Sequence, residues 1–261
     1  MARAFIFPGQ GSQAIGMLNG FAGNAVVADT IAEASDALKV DLATLIAEGP
    51  KESLDLTTNT QPVMLACAVA FYRAWIAAGG ATPAVVAGHS LGEYSALVAA
   101  GVIDFKDAVP LVRFRAQAMQ EAVPVGVGAM AAILGLASDK VIEGCKEAQA
   151  SFGAGSTEVV EAVNFNDAAQ TVIAGTKAGV DKACEVLKAA GAKRALPLPV
   201  SAPFHSSLMK PAAEKLREKL ATLALAAPQI PVVNNIDVAV ETDADRIRDA
   251  LYRQAFGPVR W

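Results

Sequence analysis

What this chain has little of narrows its class first. Its 261 residues include only two histidines and three cysteines. Cys67, Cys145 and Cys184 are odd in number and far apart. They give neither a disulfide framework nor a metal-ligand spacing, which points to a reducing, cytoplasmic setting. Charge is sparse at 18% of residues, and 22 Lys and Arg against 26 Asp and Glu leave a net −4. That balance argues against nucleic acid as a partner. The longest apolar run, Val63 to Ile76, contains Arg73 and is too short for a membrane span. It is expected to be a buried helix in a protein with no membrane partner. The apolar run Phe5 to Phe7 stops at Pro8, so the start lacks a signal-peptide pattern. What is abundant is hydrophobic, 53% of the chain. That is enough for a sizeable core in one large domain, or in a domain carrying an insert.

The stretch that organises the rest is Gly88-His89-Ser90-Leu91-Gly92. An apolar run, Ala84 to Ala87, precedes it, and a helix-like run from Glu93 to Ala100 follows, ended by Gly101. Strand, tight turn and helix with Gly-x-Ser-x-Gly at the turn describe a nucleophile elbow. The Ser90 hydroxyl is expected to project above the sheet. Backbone N–H groups at the helix start are expected to bind developing negative charge. The bland alternative is a plain glycine-rich turn.

Arg3 to Phe7 reads as a strand halted by Pro8, followed by the loop Gly9-Gln10-Gly11-Ser12-Gln13-Ala14. Gly-x-Gly-x-x-Ala raises a dinucleotide-binding reading, which needs a second strand ending in an acid about twenty residues on. Asp29 and Glu33 instead fall in a run with helical spacing. The loop is better read as a second set of free N–H groups beside the elbow. Asp41 caps a helix over Leu42 to Glu48, and Thr60 is expected to cap the next, with Pro62 in its first turn. A helix from Asp104 to Ala122 carries Arg115 on its apolar stripe, with Pro110 marking a kink or a later start. A core-facing guanidinium serves as a clamp for a substrate carboxylate, as half of a structural ion pair, or as a snorkelling side chain.

After Pro124 to Gly128 the texture changes. Strands over Ala129–Leu134, Val159–Val163, Thr171–Ala174 and Ala195–Val200 alternate with helices over Ser138–Gln149 and Val180–Ala190. That order, β-α-β-β-α-β, is the ferredoxin-like arrangement. His205 then stands in a loop before an amphipathic helix, Leu208 to Leu220. His89 lies inside the elbow and faces away from Ser90, which leaves His205 as the available base, a satisfied structural histidine being the bland alternative. Pro231 to Asn235 reads as another strand and Asp245 to Gln254 as a helix.

Taken together, these segments resemble the malonyl-CoA:acyl carrier protein transacylases of type II fatty acid synthesis over the whole chain. The carrying residues are Phe7 to Gln13, Gly88 to Ser95, Arg115, Asn164-Phe165-Asn166, Pro199-Val200-Ser201 leading to His205, and Val232 to Asn235. The resemblance implies an α/β fold. A hydrolase-like large subdomain with a mostly parallel sheet spans 1–126 and 200–261, and a ferredoxin-like small subdomain, 127–199, is inserted in it. It implies that Ser90 is acylated, that His205 is the base, and that the N–H groups of Gln10 and Leu91 form the oxyanion hole. Arg115 matches the arginine that grips the malonyl carboxylate, and the Gln254 carbonyl orients His205. Met119 and Phe204 are expected beside the substrate. Malonyl-CoA and an acidic acyl carrier protein are the implied partners of a monomer that needs no cofactor and no metal. Lys188, Lys193 and Arg194 are candidates for a basic rim, an ordinary solvated face being the simpler reading. The resemblance also implies that family members usually continue past the position of Trp261 with a further strand and helix. A serine thioesterase using the same nucleophile is the rival, but the chain shows no obvious acid in Ser…Asp…His order and no His-Gly-Gly-Gly loop. An oxidoreductase built on Gly9 to Ala14 and a non-catalytic carrier-binding module are more distant.

Overall fold

A computed structural model describes residues 2–200 and 202–261. Ser201, part of the run leading to His205, lies outside the described residues. The chain forms two compact units, residues 1–117 with 218–248, and residues 118–217 with 249–261.

In the first unit the elements are β1 (Ala4–Phe7), α1 (Ala25–Leu38), α2 (Leu42–Glu48), α3 (Lys51–Leu54), α4 (Thr57–Ala77), β2 (Val85–Gly88), α5 (Leu91–Ala99) and most of α6 (Phe105–Glu121). Asn24 and Asp41 cap α1 and α2 by accepting the N–H groups of Val27 and Thr44. The apolar helix α4 is buried from Val63 to Ala70, as its all-round hydrophobicity demands. It begins one turn before Thr60, which is a correction to the expected cap. The Thr60 hydroxyl donates to the Leu54 carbonyl at 2.6 Å, while the N–H groups of Asn59 and Thr60 both close on the Leu56 carbonyl. Pro62, the sixth residue of α4, therefore costs the helix only one early hydrogen bond. Pro110 is likewise the sixth residue of α6, which starts at Phe105 in spite of it.

In the second unit β3 (Gly128–Leu134), α7 (Ser138–Ala150), β4 (Val160–Asp167), β5 (Gln170–Thr176), α8 (Lys177–Ala189) and β6 (Arg194–Pro197) follow the β-α-β-β-α-β order. The strands lie in the order β6-β3-β5-β4, all neighbours antiparallel. Ala131, Ile133 and Ile173 of the sheet pack with Val141, Val180 and Leu187 of the helices in one core. Strand β6 ends at Pro197, short of the expected Val200, because prolines at 197 and 199 remove ladder donors.

The chain then runs through α9 (Lys210–Ala221), β7 (Val232–Val233), α10 (Ala244–Phe256) and β8 (Val259–Arg260). In the first unit β1, β2 and β7 form a parallel sheet in the order β1-β2-β7, with Phe7 beside Gly88 at the carboxyl ends. Strand β8, unforeseen in the sequence, adds parallel to β4. The Trp261 N–H donates to the Phe165 carbonyl at 3.0 Å. Among the described residues no helix is long and apolar enough to cross a membrane.

Candidate active site

The elbow forms because three glycines let backbones meet. A Cβ on Gly88 would lie 1.9 Å from the Gly92 carbonyl atoms. One on Gly92 would lie 2.1 Å from the Phe7 oxygen, and one on Gly9 2.5 Å from the His89 oxygen. The first loop and the elbow therefore leave the same end of the sheet in direct backbone contact. Ser90 is pushed to φ 52° and ψ −104°, a conformation that a side-chain-bearing residue holds only under restraint. It stands immediately before α5. The Leu91 N–H is the first of that helix and has no intrahelical acceptor. The Gln10 side chain is turned to Thr57, its amide donating to Oγ1 at 3.1 Å, which anchors the loop while the backbone carries the N–H.

A third segment meets them. Asn235, just past β7, accepts the Ser90 N–H on Oδ1 at 2.7 Å and donates from Nδ2 to the Gly88 carbonyl at 2.7 Å. Its own N–H donates to Glu93 Oε2 at 2.9 Å. Asn235 and Glu93 are both buried.

Arg115 is 2% exposed, so the stripe position does face inward. Its Nη1 donates to Gln61 Oε1 at 2.8 Å and its Nη2 to Ser90 Oγ at 3.2 Å. The guanidinium carbon sits 5.3 Å from the centre of the Tyr94 ring. Burial pulls the Arg115 pKa down, against the raising influence of Tyr94 and Glu93. A guanidinium still keeps its charge. Burial pushes the Tyr94 phenol up to about 12, so it stays neutral. The arrangement places a fixed cation beside a strained hydroxyl.

His205 belongs to the second unit, is buried, and has φ 65°. Its Nδ1 lies 2.8 Å from the Gln254 carbonyl oxygen. A carbonyl only accepts, so Nδ1 carries a proton, and in the neutral ring Nε2 is then the nitrogen with the lone pair. The carbonyl is available for a local reason. Gln254 stands in the last turn of α10, and the residue four further on is Pro258, which has no N–H. Phe204 and Met119 are also buried in this unit. Lys188, Lys193 and Arg194 are exposed. The structure thus brings Ser90 together with Arg115 in one unit and His205 with Gln254 in the other. Among the described residues no group of three or more His, Cys, Asp or Glu is placed to hold a metal ion.

Sequence reasoning assigned no role to Asn235, Glu93 or Gln61. The first two lay within segments that already carried a pattern. For Gln61 the only signal was a polar residue at the start of a nearly all-apolar helix.

Comparison with known proteins adds an independent line. A model of the acyl transferase domain family matches residues 4–255. The malonyl CoA-acyl carrier protein transacylase of Escherichia coli K12 is 56% identical over 259 residues, 99% of this chain and 82% of that protein. The crystal structure of an acyl-carrier-protein S-malonyltransferase from Burkholderia pseudomallei superposes with a TM-score of 0.96 at 69% identity, covering all of this chain and 83% of that one. A malonyl-transacylase solved in complex with a type II polyketide acyl-carrier protein matches with a TM-score of 0.96 at 53% identity, again over the whole chain and 83% of its own. With the elbow and the buried arginine in place, these matches mean that the chain belongs to the acyl transferase family, among the malonyl CoA-acyl carrier protein transacylases.

Proposed function

We propose that this chain moves a malonyl group from CoA to the phosphopantetheine thiol of acyl carrier protein through a malonyl-Ser90 intermediate. His205 Nε2 takes the Ser90 proton as Oγ attacks the thioester carbonyl. The tetrahedral oxyanion is held by the N–H groups of Gln10 and Leu91, each contributing roughly 3 kcal/mol in such sites. The intermediate collapses, the C–S bond breaks, and CoA leaves as the thiol with the proton from His205. The carrier thiol then gives its proton to His205 and attacks the ester carbonyl. Ser90 leaves and is reprotonated, so the kinetics are ping-pong. Gln254 keeps the imidazole in the tautomer this needs. Met119 and Phe204 line the acyl site.

The observation that carries this reading is the buried Arg115 guanidinium 3.2 Å from Ser90 Oγ. An acyl group on that oxygen with a carboxylate at its far end meets a cation able to bind it bidentately. The scheme uses no cofactor, since CoA is a substrate. Intact-protein mass spectrometry after incubation with malonyl-CoA tests it. The expected result is one malonyl group per chain, mapped to the Ser90 peptide and absent from Ser90→Ala. A label that persists in Ser90→Ala, or maps elsewhere, ends the proposal.

A further inference from the structure

The scheme above leaves one buried cluster at the elbow unused, that of Asn235 and Glu93. Ser90 sits in a conformation that persists only where its surroundings over-determine it. The glycine contacts supply a steric restraint, because they allow the loops to close. They do not fix how the peptide planes on either side of His89 are turned. Hydrogen bonds do. The His89 N–H donates to the Phe7 carbonyl at 3.0 Å and the Gly92 N–H to the His89 carbonyl at 2.8 Å. The Asn235 amide, a side chain spanning both planes, grips the carbonyl before His89 and the N–H after it, both at 2.7 Å. The orientation of that amide is unambiguous. The Gly88 carbonyl only accepts and the Ser90 N–H only donates, so one face of the amide must be NH2 and the other C=O. The Asn235 backbone is in turn held by Glu93 in the first turn of α5, where the helix dipole favours a carboxylate. One residue thereby joins the strand end, the bend and the following helix.

We infer that Asn235 is a positioning residue for the nucleophile. It holds the backbone of Ser90 in the turn that presents Oγ, and it removes the Ser90 N–H from the donors available to an oxyanion. This rests on the reading of Ser90 as the acylated residue. It explains why the oxyanion hole of the proposed scheme draws on the residue after the serine and on the β1 loop, rather than on the serine itself. An asparagine is needed because the side chain must donate and accept at once. Asp keeps the acceptor for Ser90 and loses the donor for Gly88, while Ala loses both.

Single-turnover malonylation of the full chain, read by quenched mass spectrometry over a range of malonyl-CoA concentrations, tests the inference. The maximal acylation rate is expected to fall about ten-fold or more in Asn235→Ala, and about three-fold or more in Asn235→Asp. The half-saturating concentration should stay within about two-fold of wild type, because Arg115 and Gln61 are untouched. A merely structural role would lower the amount of folded protein, measured by circular dichroism, without changing the rate constant of the folded fraction. If Asn235→Ala does not fold, Asn235→Asp decides alone. The inference is overturned if the folded variants acylate within about two-fold of the wild-type rate, or if half-saturation rises in step with the fall in rate. Ser90→Ala runs in parallel. A wild type unlabelled on Ser90 defeats the nucleophile reading, whereas equal rates of Ser90 labelling in wild type and folded Asn235 variants defeat only this one.

Discussion

In the proposed scheme a single residue, Arg115, sets selectivity. Gln61 and the Tyr94 ring fix the guanidinium plane, and Ser90 Oγ lies within reach of Nη2. On that reading a malonyl group on Ser90 would carry its free carboxylate into that field, whereas an acetyl group would have nothing to offer it. Losing one partner of a buried charge pair costs about 2–5 kcal/mol, or roughly 30- to 5 × 10³-fold. Arg115→Ala is therefore expected to lose most of its preference for malonyl-CoA over acetyl-CoA in a competition assay. Arg115→Lys should recover part of it, as a point charge without the fork. A preference unchanged in Arg115→Ala would refute the clamp.

At the scale of the element, the elbow is a backbone-packing device before it is a chemical one. Gly88→Ala puts a methyl group 1.9 Å from the Gly92 backbone, and Gly92→Ala puts one 2.1 Å from the Phe7 oxygen. Neither neighbour is a movable side chain. Each substitution is expected to destabilise the chain by on the order of 3 kcal/mol or more, with a clear drop in thermal midpoint. Gly20 is the control, since a Cβ there meets nothing within 4 Å. Gly20→Ala should stay within about 0.5 kcal/mol of wild type. Equal midpoints for Gly20→Ala and Gly92→Ala would contradict the packing account. Helix α10 makes a parallel point, because its final turn, cut short by Pro258, frees a carbonyl for His205.

The whole molecule responds to pH through groups buried in both units. Burial raises the Cys67 and Cys145 thiols from an ordinary 9.0 to about 12, and the Tyr94 phenol from 10.0 to about 12. Each raised group keeps its proton in the folded state when the unfolded chain has already lost it. The native state thus binds more protons between pH 9 and 12, and stability must fall as pH rises through that window. The limiting slope is about 1.4 kcal/mol per pH unit for each group. Thermal midpoints measured from pH 8 to 11 should decline, and Cys67→Ser, whose hydroxyl does not ionise, should decline less steeply. Identical slopes for wild type and Cys67→Ser would show that Cys67 contributes nothing. In native protein at pH 8, Cys67 and Cys145 should also resist alkylation, since both are protonated and buried.

Local order in the sequence was enough for most of the elements and for part of the site. Helix and strand periods come from neighbouring residues, so the helix over 42–48, the apolar α4, the elbow around Ser90 and the inward face of Arg115 were legible. The α4 start was misplaced because Thr60 looks like a cap until its hydroxyl is seen to donate to the Leu54 carbonyl, six residues earlier. Tertiary structure alone decided which groups meet across long stretches of chain. Asn235 reaches an elbow 145 residues earlier, and Gln61 reaches Arg115 across 54. A main-chain acceptor such as the Gln254 carbonyl leaves no mark in residue type, because every residue has one. Composition and spacing carry the short-range chemistry. Register, backbone partners and the pairing of β8 with β4 arise only when the chain has folded back on itself.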